Sequence, residues 1–418
     1  EFNLDSNEMI SFIKRQFADV CGGGLAAFFK KSINLFLVIL APACVLIVRI
    51  LRPFVLIRFA MLYSGRIGHL AANTELYLCQ RDLARSAAQR NLDIFYHAST
   101  VCNFQLKKML DRNLHVFNFV RWVDRLNRSI PGGQSHRAPL PNSDIDLNNI
   151  IGRSPAHLSF TEKEDLYGQK QLERLGLPRG QSFICFYARD CEYLDKRIPY
   201  QDWAYHNYRD CDIDNYIPAV KELVRRNYFA VRMGAAVKEQ LKVRDEPKII
   251  DYASCARSDF LDIYLSARCS FFVSSTGGVN AVSRIFRRKI VYVNFVPAGK
   301  RHLFSCAAGS IFIPKKLYSR KINRCLTLGE IIATGADEFY SSKQYEDAGI
   351  EVVENTPEEI LAAVIEMDER LKGNWHPDEE DEGLQQCFWS FLNNCQPQGV
   401  ITTRIGAEFL RANREFLK

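Results

Sequence analysis

The stretch Phe271-Phe-Val-Ser-Ser-Thr-Gly-Gly-Val-Asn-Ala-Val-Ser-Arg-Ile-Phe286, followed by Lys289-Ile-Val-Tyr-Val-Asn294, reads as strand, turn, helix and strand. The turn is Ser274-Ser275-Thr276-Gly277-Gly278, with Asn280 just inside the helical pattern. Unpaired backbone N–H groups at a helix start, aligned with the helix dipole, favour a phosphate or another anion. Ser and Thr hydroxyls there can cap the helix and also donate to a ligand. The same residues fit a plain strand-to-helix turn whose glycines only permit close packing. The surroundings have to decide between the two.

Outward from this stretch the same alternation continues. Residues 183–188 (FICFYA) predict a strand and 216–226 a helix; 229–233 (FAVRM) predict a strand ending at Gly234. Ile249-Ile250 is a short strand, and 259–267 a helix. Residues 350–353 (IEVV) are a strand, and Thr356-Pro357 opens a helix to 371 with Thr at the cap and Pro at the first position. Strands alternating with helices at this spacing imply a parallel, doubly wound sheet. An earlier set precedes it: a strand at 54–62, a tight turn at 64–69, a helix at 70–88, a strand at 92–97 and one long helix at 104–126. Residues 128–160 are loop-rich, and a polar helix at 161–175 ends at Gly176-Leu-Pro-Arg-Gly180. The fold class is therefore α/β, two α/β units in tandem. The boundaries are 1–53 for N-terminal helices, 54–175 and 176–373 for the two α/β units, and 374–418 for a helical tail.

With 418 residues, 47% apolar and 25% charged, the chain can bury full cores and is not a disordered polymer. A net charge of +7 suits anionic lipid or a phosphorylated substrate, and along the sequence it is not gathered as a nucleic-acid footprint would be. The thirteen cysteines include no Cys-x-x-Cys, which fits reduced thiols and argues against structural zinc. Cys185, Cys255 and Cys269 read as small core residues.

Residues 33–48 (INLFLVILAPACVLIV) are uncharged, with Lys30 and Lys31 before them and Arg49 and Arg52 after. A spanning helix wants about 20 apolar residues. This segment is shorter and carries Pro42, so a short span, an interfacial helix and a buried core helix all fit. Basic residues at both ends favour contact with lipid headgroups. Residues 9–17 have helical spacing and can lie on the same surface.

Ligands of doubly wound sheets sit at the carboxyl ends of the strands. His69, Arg189, Gly234 and 275–278 occupy such positions. In Gly65-Arg66-Ile67-Gly68-His69, Arg66 can hold a phosphate or carboxylate and His69 can act as a base near neutral pH, or merely pack the helix start. Arg189 suits bidentate phosphate contact, with Asp190 orienting it or serving as a base, or the two form an exposed pair at the strand end. The loop at 192–214, rich in Tyr, Trp, Asp and Arg, has the composition of an aromatic wall beside a sugar or base. Asp210-Cys-Asp212 matches a metal- and nucleotide-binding Asp-x-Asp pattern, but before a helix it reads better as an N-cap. Arg232-Met-Gly234 ends another strand, with Lys238, Lys242 and Arg244 after it; it can meet a donor phosphate, but a solvated basic helix face fits these residues better.

Taken together, Arg66-Ile-Gly-His-x-x-x-Asn-x-Glu-x-Tyr-Leu78, Phe186-Tyr-Ala-Arg-Asp190, Arg232-Met-Gly234, Ile249-Ile-Asp-Tyr-Ala253, Asp259-Phe-Leu-Asp-Ile-Tyr-Leu265, Glu354-Asn-Thr-Pro-Glu-Glu-Ile360 and Arg404-Ile-Gly-Ala-Glu-Phe-Leu-Arg-x-Asn413 resemble a bacterial family assigned to glycosyl transfer in surface-polysaccharide synthesis. The resemblance covers roughly 50–418 and implies a GT-B-like fold, with two Rossmann-like domains facing a cleft. It implies an acceptor domain first, a nucleotide-sugar donor domain second, and a tail that packs back on the first domain. Donor contacts would be Arg189, Arg232, Gly234, Ser274, Ser275, Thr276, Gly277, Gly278 and Asn280. Acceptor or phosphate contacts would be Arg66, Asn73 and Glu75. His69 or Asp190 would take the acceptor proton, with no metal and no cofactor beyond the nucleotide-sugar substrate. The acceptor would be a glycan or lipid-linked glycan at the cytoplasmic face of the inner membrane, with no nucleic-acid partner. A pyruvyl or phosphosugar transferase, or a non-catalytic membrane-tethered scaffold, fits the same residues.

Overall fold

The computed structural model describes residues 36–37, 39–84, 90–197, 200–243, 245–255, 257–392 and 402–418. The helix expected at 9–17 and the start of the apolar segment at 33 lie outside the described residues. The chain is mixed α/β and divides into two compact units: residues 1–62, 86–98 and 114–139, and residues 63–85, 99–113 and 140–418. This division does not follow the sequence boundaries at 53, 175 and 373.

The smaller unit is built on three parallel strands, β1 (Leu56–Leu62), β2 (Asn91–His97) and β3 (His115–Val116), in the order β1-β2-β3. Residues 39–50 form a helix. Its Ala41, Val45 and Val48, at helical spacing, bury against Ile57, Phe59, Tyr96, Val120 and Val123. Among the described residues no helix is long and apolar enough to cross a membrane. The single helix expected at 104–126 is instead two, Phe104–Asp111 and Val120–Arg128, with β3 between them. The Asn113 side chain donates to Met109 O and its N–H to Leu110 O, which closes the first helix.

The larger unit holds a seven-stranded sheet of β4 (Phe183–Tyr187), β5 (Phe229–Arg232), β6 (Ile249–Ile250), β7 (Phe271–Ser274), β8 (Lys289–Phe295), β9 (Ile311–Pro314) and β13 (Arg404–Ile405), ordered β13-β9-β8-β7-β4-β5-β6. Every neighbouring pair is parallel. β4, β5 and β7 are buried at nearly every position, as a sheet covered on both faces requires. The chain runs outward from β4 through β5 and β6, then returns to lay β7 on β4's other side. The strand order therefore reverses between β4 and β7, which makes their carboxyl ends the switch point where such sheets bind ligands.

Two expectations are corrected here. Residues 350–353 do not extend the parallel sheet. They form β12 (Ile350–Val353), paired antiparallel with β10 (Lys316–Ser319), which also takes β11 (Arg324–Cys325). Only Lys315 separates β9 from β10, and β12 pairs with β10 rather than with a strand of the main sheet. The tail adds the edge strand β13, pairing Ile405 with Phe312 of β9, and Phe388, Trp389, Phe409 and Leu410 bury in the larger unit's core.

Candidate functional site

A cavity of about 520 Å³ opens at this switch point, walled entirely by the larger unit. Tyr187 ends β4 and Arg189 and Asp190 follow it, Met233 and Gly234 follow β5, and Thr276 to Ala281 follow β7. Phe295, Val296 and Pro297 close it from the end of β8, and Arg66 to His69 line it from the start of the helix Ile67–Leu83. Four strand ends thus converge on one space because their order reverses beneath it.

Several ties fix the floor. Ser275 Oγ accepts from Arg189 N at 2.9 Å, joining β7's end to β4's. Thr276 Oγ1 donates to Val296 O at 3.3 Å, and Arg209 Nη2 donates to Thr276 O at 3.0 Å. A Cβ on Gly277 would lie 2.8 Å from the Tyr187 ring, so only glycine lets the backbone cross it.

Three guanidinium groups set the electrostatics. Arg189 pairs with Asp210 and donates to His206 O at 3.2 Å. Arg209 donates to neutral acceptors of Thr276, and among the described residues it forms no direct ion pair with a carboxylate. Arg66 lies 5.6 Å from the centroid of the Trp203 ring, a cation–π contact. Between them, burial and then the charges of Arg209, Arg189 and Arg66 push His206 down to about 4. Its imidazole is neutral at pH 7, and Nδ1 is buried with no hydrogen-bond partner among the described residues. Burial likewise pushes His302 down to about 4. Asp210 is pushed up to about 6 by burial, although Arg189 opposes this. The cavity favours an anion. Its aromatic wall is Trp203 stacked on His206, with ring centroids 6.3 Å apart, and Tyr208 beyond.

Of the residues expected from sequence, Arg66, His69, Arg189, Asp190, Gly234, Thr276, Gly277, Gly278 and Asn280 line this one cavity. The others do not, each for a physical reason. Ser274 Oγ donates to Ser275 O and Ser275 Oγ holds Arg189 N, so both hydroxyls face the floor. Arg232, 3% exposed, is drawn to Glu239 O at 2.7 Å and to Asp251. Asn73 is fully buried and donates to Pro141 O. The helix after β7 is only Asn280–Ile285 and has no side-chain cap, so the turn is a packing junction more than a long dipole's end. Asp190 lines the cavity but accepts from Glu192 N and Lys238 N at 3.2 and 3.0 Å, which makes it a loop anchor. Asp212 caps Asp214 N, as the N-cap reading of Asp210-Cys-Asp212 expects.

Glu75 belongs elsewhere. Its carboxylate, 1% exposed, takes Arg287 Nη2 at 2.6 Å and His157 Nδ1 at 3.0 Å. Cys79, Glu75 and His157 offer ligand atoms within 4.8 Å of one another. Hydrogen bonds to Cys79 and Glu75, however, push His157 up to about 10. An imidazolium and a guanidinium already balance the carboxylate, and this is an ion-pair latch.

Sequence reading missed Arg209, His206, His302 and Asp262. Asp262 lines the cavity, accepts from Tyr252 Oη at 2.9 Å and Arg257 at 2.7 Å, and is pushed up to about 6 by burial. Its motif was visible, but nothing at residue 262 distinguishes a cavity-facing Asp from a surface one. Arg209 lies in the aromatic loop, one place before the Asp-x-Asp pattern, and could have been weighed as an anion ligand.

No protein-family model matches this chain, and no curated protein does. Among solved structures it is similar to the "glycosyl transferase family 9" of Veillonella parvula DSM 2008, with a TM-score of 0.44 and 13% identity over 75% of this chain and 96% of that one. It is also similar to "E. coli ADP-heptose lps heptosyltransferase II", with a TM-score of 0.34 and 11% identity over 56% of this chain and 85% of that one. At scores this low, neither protein's fold nor its activity carries over to this chain.

Proposed function

We propose that the chain is a glycosyltransferase moving a sugar from a nucleotide-sugar donor to a surface-polysaccharide or lipid-linked glycan acceptor. The observation that carries this is the arginine-lined cavity at the sheet's switch point, whose Arg66 and Arg209 beside an aromatic wall suit a diphosphate. Guanidinium groups can neutralise the leaving diphosphate without a divalent cation. The bond from the sugar's anomeric carbon to the phosphate oxygen breaks and a bond from that carbon to the acceptor oxygen forms. In an inverting course His69, half-buried three residues after Arg66 at the same helix start, takes the acceptor proton. The neutral His206 belongs to the aromatic wall against which the donor packs.

The test is thermal unfolding of the chain with UDP, GDP, CMP and ADP. One of the four is expected to raise the midpoint at micromolar concentration, and the matching nucleotide sugar should be consumed when an acceptor glycan is supplied. No shift with any of them would remove the reading in favour of a scaffold.

A further inference from the structure

The smaller unit carries charge and apolar surface out of proportion to its size. Its described residues hold eight arginines (Arg49, Arg52, Arg58, Arg90, Arg121, Arg125, Arg128, Arg137) against two aspartates, an excess of six, while the whole chain carries +7. Three segments distant in sequence build this unit, so the accumulation is invisible along the chain. Both aspartates are already paired, Asp93 with Arg58 and Asp124 with Arg128. Arg49, Arg52, Arg121 and Arg137 donate to neutral acceptors and keep their charge for a partner.

The same unit holds eleven of the twenty-one large apolar side chains exposed among the described residues. They concentrate on the helix at 39–50 and just after it: Ile39, Leu40, Leu46, Ile47 and Ile50, then Phe54 at 77% exposure. The opposite face of that helix is the one packed on the core through Ala41, Val45 and Val48. A helix apolar on all sides is stable only when both faces are covered, and an exposed apolar patch of this extent marks a binding surface.

We propose that this helix lies in the surface of an anionic lipid bilayer, its outer face among the acyl chains and the unit's arginines on the headgroups. An apolar face beside uncompensated arginines fits lipid, whereas nucleic acid would use the charge and leave the apolar face in water. The anionic cytoplasmic leaflet of a cell membrane offers such a surface. This contact stands apart from the reaction proposed above and is tested without nucleotide.

The purified full chain is sedimented with vesicles of phosphatidylcholine, with and without phosphatidylglycerol. It is expected to pellet with the anionic vesicles and to be released by high salt. The variant Leu46→Gln/Ile47→Gln/Ile50→Gln should partition at least about tenfold less, the scale set by withdrawing several aliphatic side chains from lipid. In a separate variant, Phe54→Trp, brominated lipid should quench the fluorescence of the introduced indole, which reads the contact without disturbing the helix. The proposal is overturned if the chain stays in the supernatant, if the triple variant pellets as well as the parent, or if brominated lipid leaves the added fluorescence of Phe54→Trp unquenched. It is also overturned if the parent forms a dimer that the triple variant abolishes, since a second copy would then cover the face.

Discussion

Gly68 and Gly278 meet backbone to backbone: a Cβ on Gly68 would lie 3.0 Å from Gly278 Cα, and one on Gly278 would lie 3.3 Å from Gly68 N. Two turns 210 residues apart in sequence are thereby locked together, and both line the cavity. The glycines of the β7 turn serve close packing, and that packing shapes the cavity.

Gly68→Ala should therefore destabilise the chain by about 1–3 kcal/mol, the usual cost of overpacking a rigid contact. Gly278→Ala should cost less, because its added methyl meets the Gly68 nitrogen at a slightly longer distance. Urea unfolding of both single variants and the double variant tests this. The double variant should depart from additivity, since the two sites share one contact.

Arg209 and Arg189 should separate binding from stability. Arg209→Ala removes a guanidinium that, among the described residues, is held by Thr276 acceptors, so nucleoside-diphosphate affinity should fall about 10- to 100-fold with little loss of fold. Arg209→Lys should recover only part of this, because the ammonium lacks the planar fork. Arg189→Ala leaves Asp210 without its main partner and should cost about 1–3 kcal/mol, less than a fully buried pair because Asp210 retains some solvent. Titration calorimetry beside thermal unfolding reads the two effects.

The alternation of apolar runs and helical patterns was enough to read a parallel α/β sheet from β4 to β8. Strand order was not readable, because periodicity says which residues face a core and nothing about which strand lies beside which. β12 illustrates this: its four residues read as one more parallel strand, yet Lys316 pairs antiparallel with Val353. At the site, residues that follow a strand end were visible as such, and nine of them line the cavity. Asn73 and Glu75 line no part of it because their partners, Pro141 and Arg287, are remote in sequence and pull them elsewhere. The Glu354-Asn-Thr-Pro helix start was likewise legible. Its reciprocal tie, in which Asn294 and Asn355 each donate backbone N–H to the other's side chain, was not.

The Glu75 latch gives a pH dependence on the alkaline side. His157 is raised from 6.5 to about 10, so the folded state holds a proton that the unfolded chain releases earlier. The stabilisation is complete below pH 6.5 and is lost as pH rises towards about 10. Denaturation midpoints measured across that window should decline. His157→Gln should start lower and lose most of the decline. An unchanged slope in that variant would place the titration elsewhere.

His69 and Asp190 divide the proposed chemistry. Asp190 is occupied by two backbone amides, whereas His69 faces the cavity from the helix start, with its ring 6.2 Å from that of Tyr63. If His69 takes the acceptor proton, His69→Gln should lower kcat by about 10²- to 10⁴-fold while leaving the affinity for the donor nucleotide unchanged. Asp190→Asn keeps an acceptor for Glu192 N and Lys238 N and should lower kcat by less than about tenfold. Single-turnover kinetics with the identified donor, beside nucleotide titration of each variant, distinguishes the two residues. A full loss in Asp190→Asn with His69→Gln unaffected would exchange their roles.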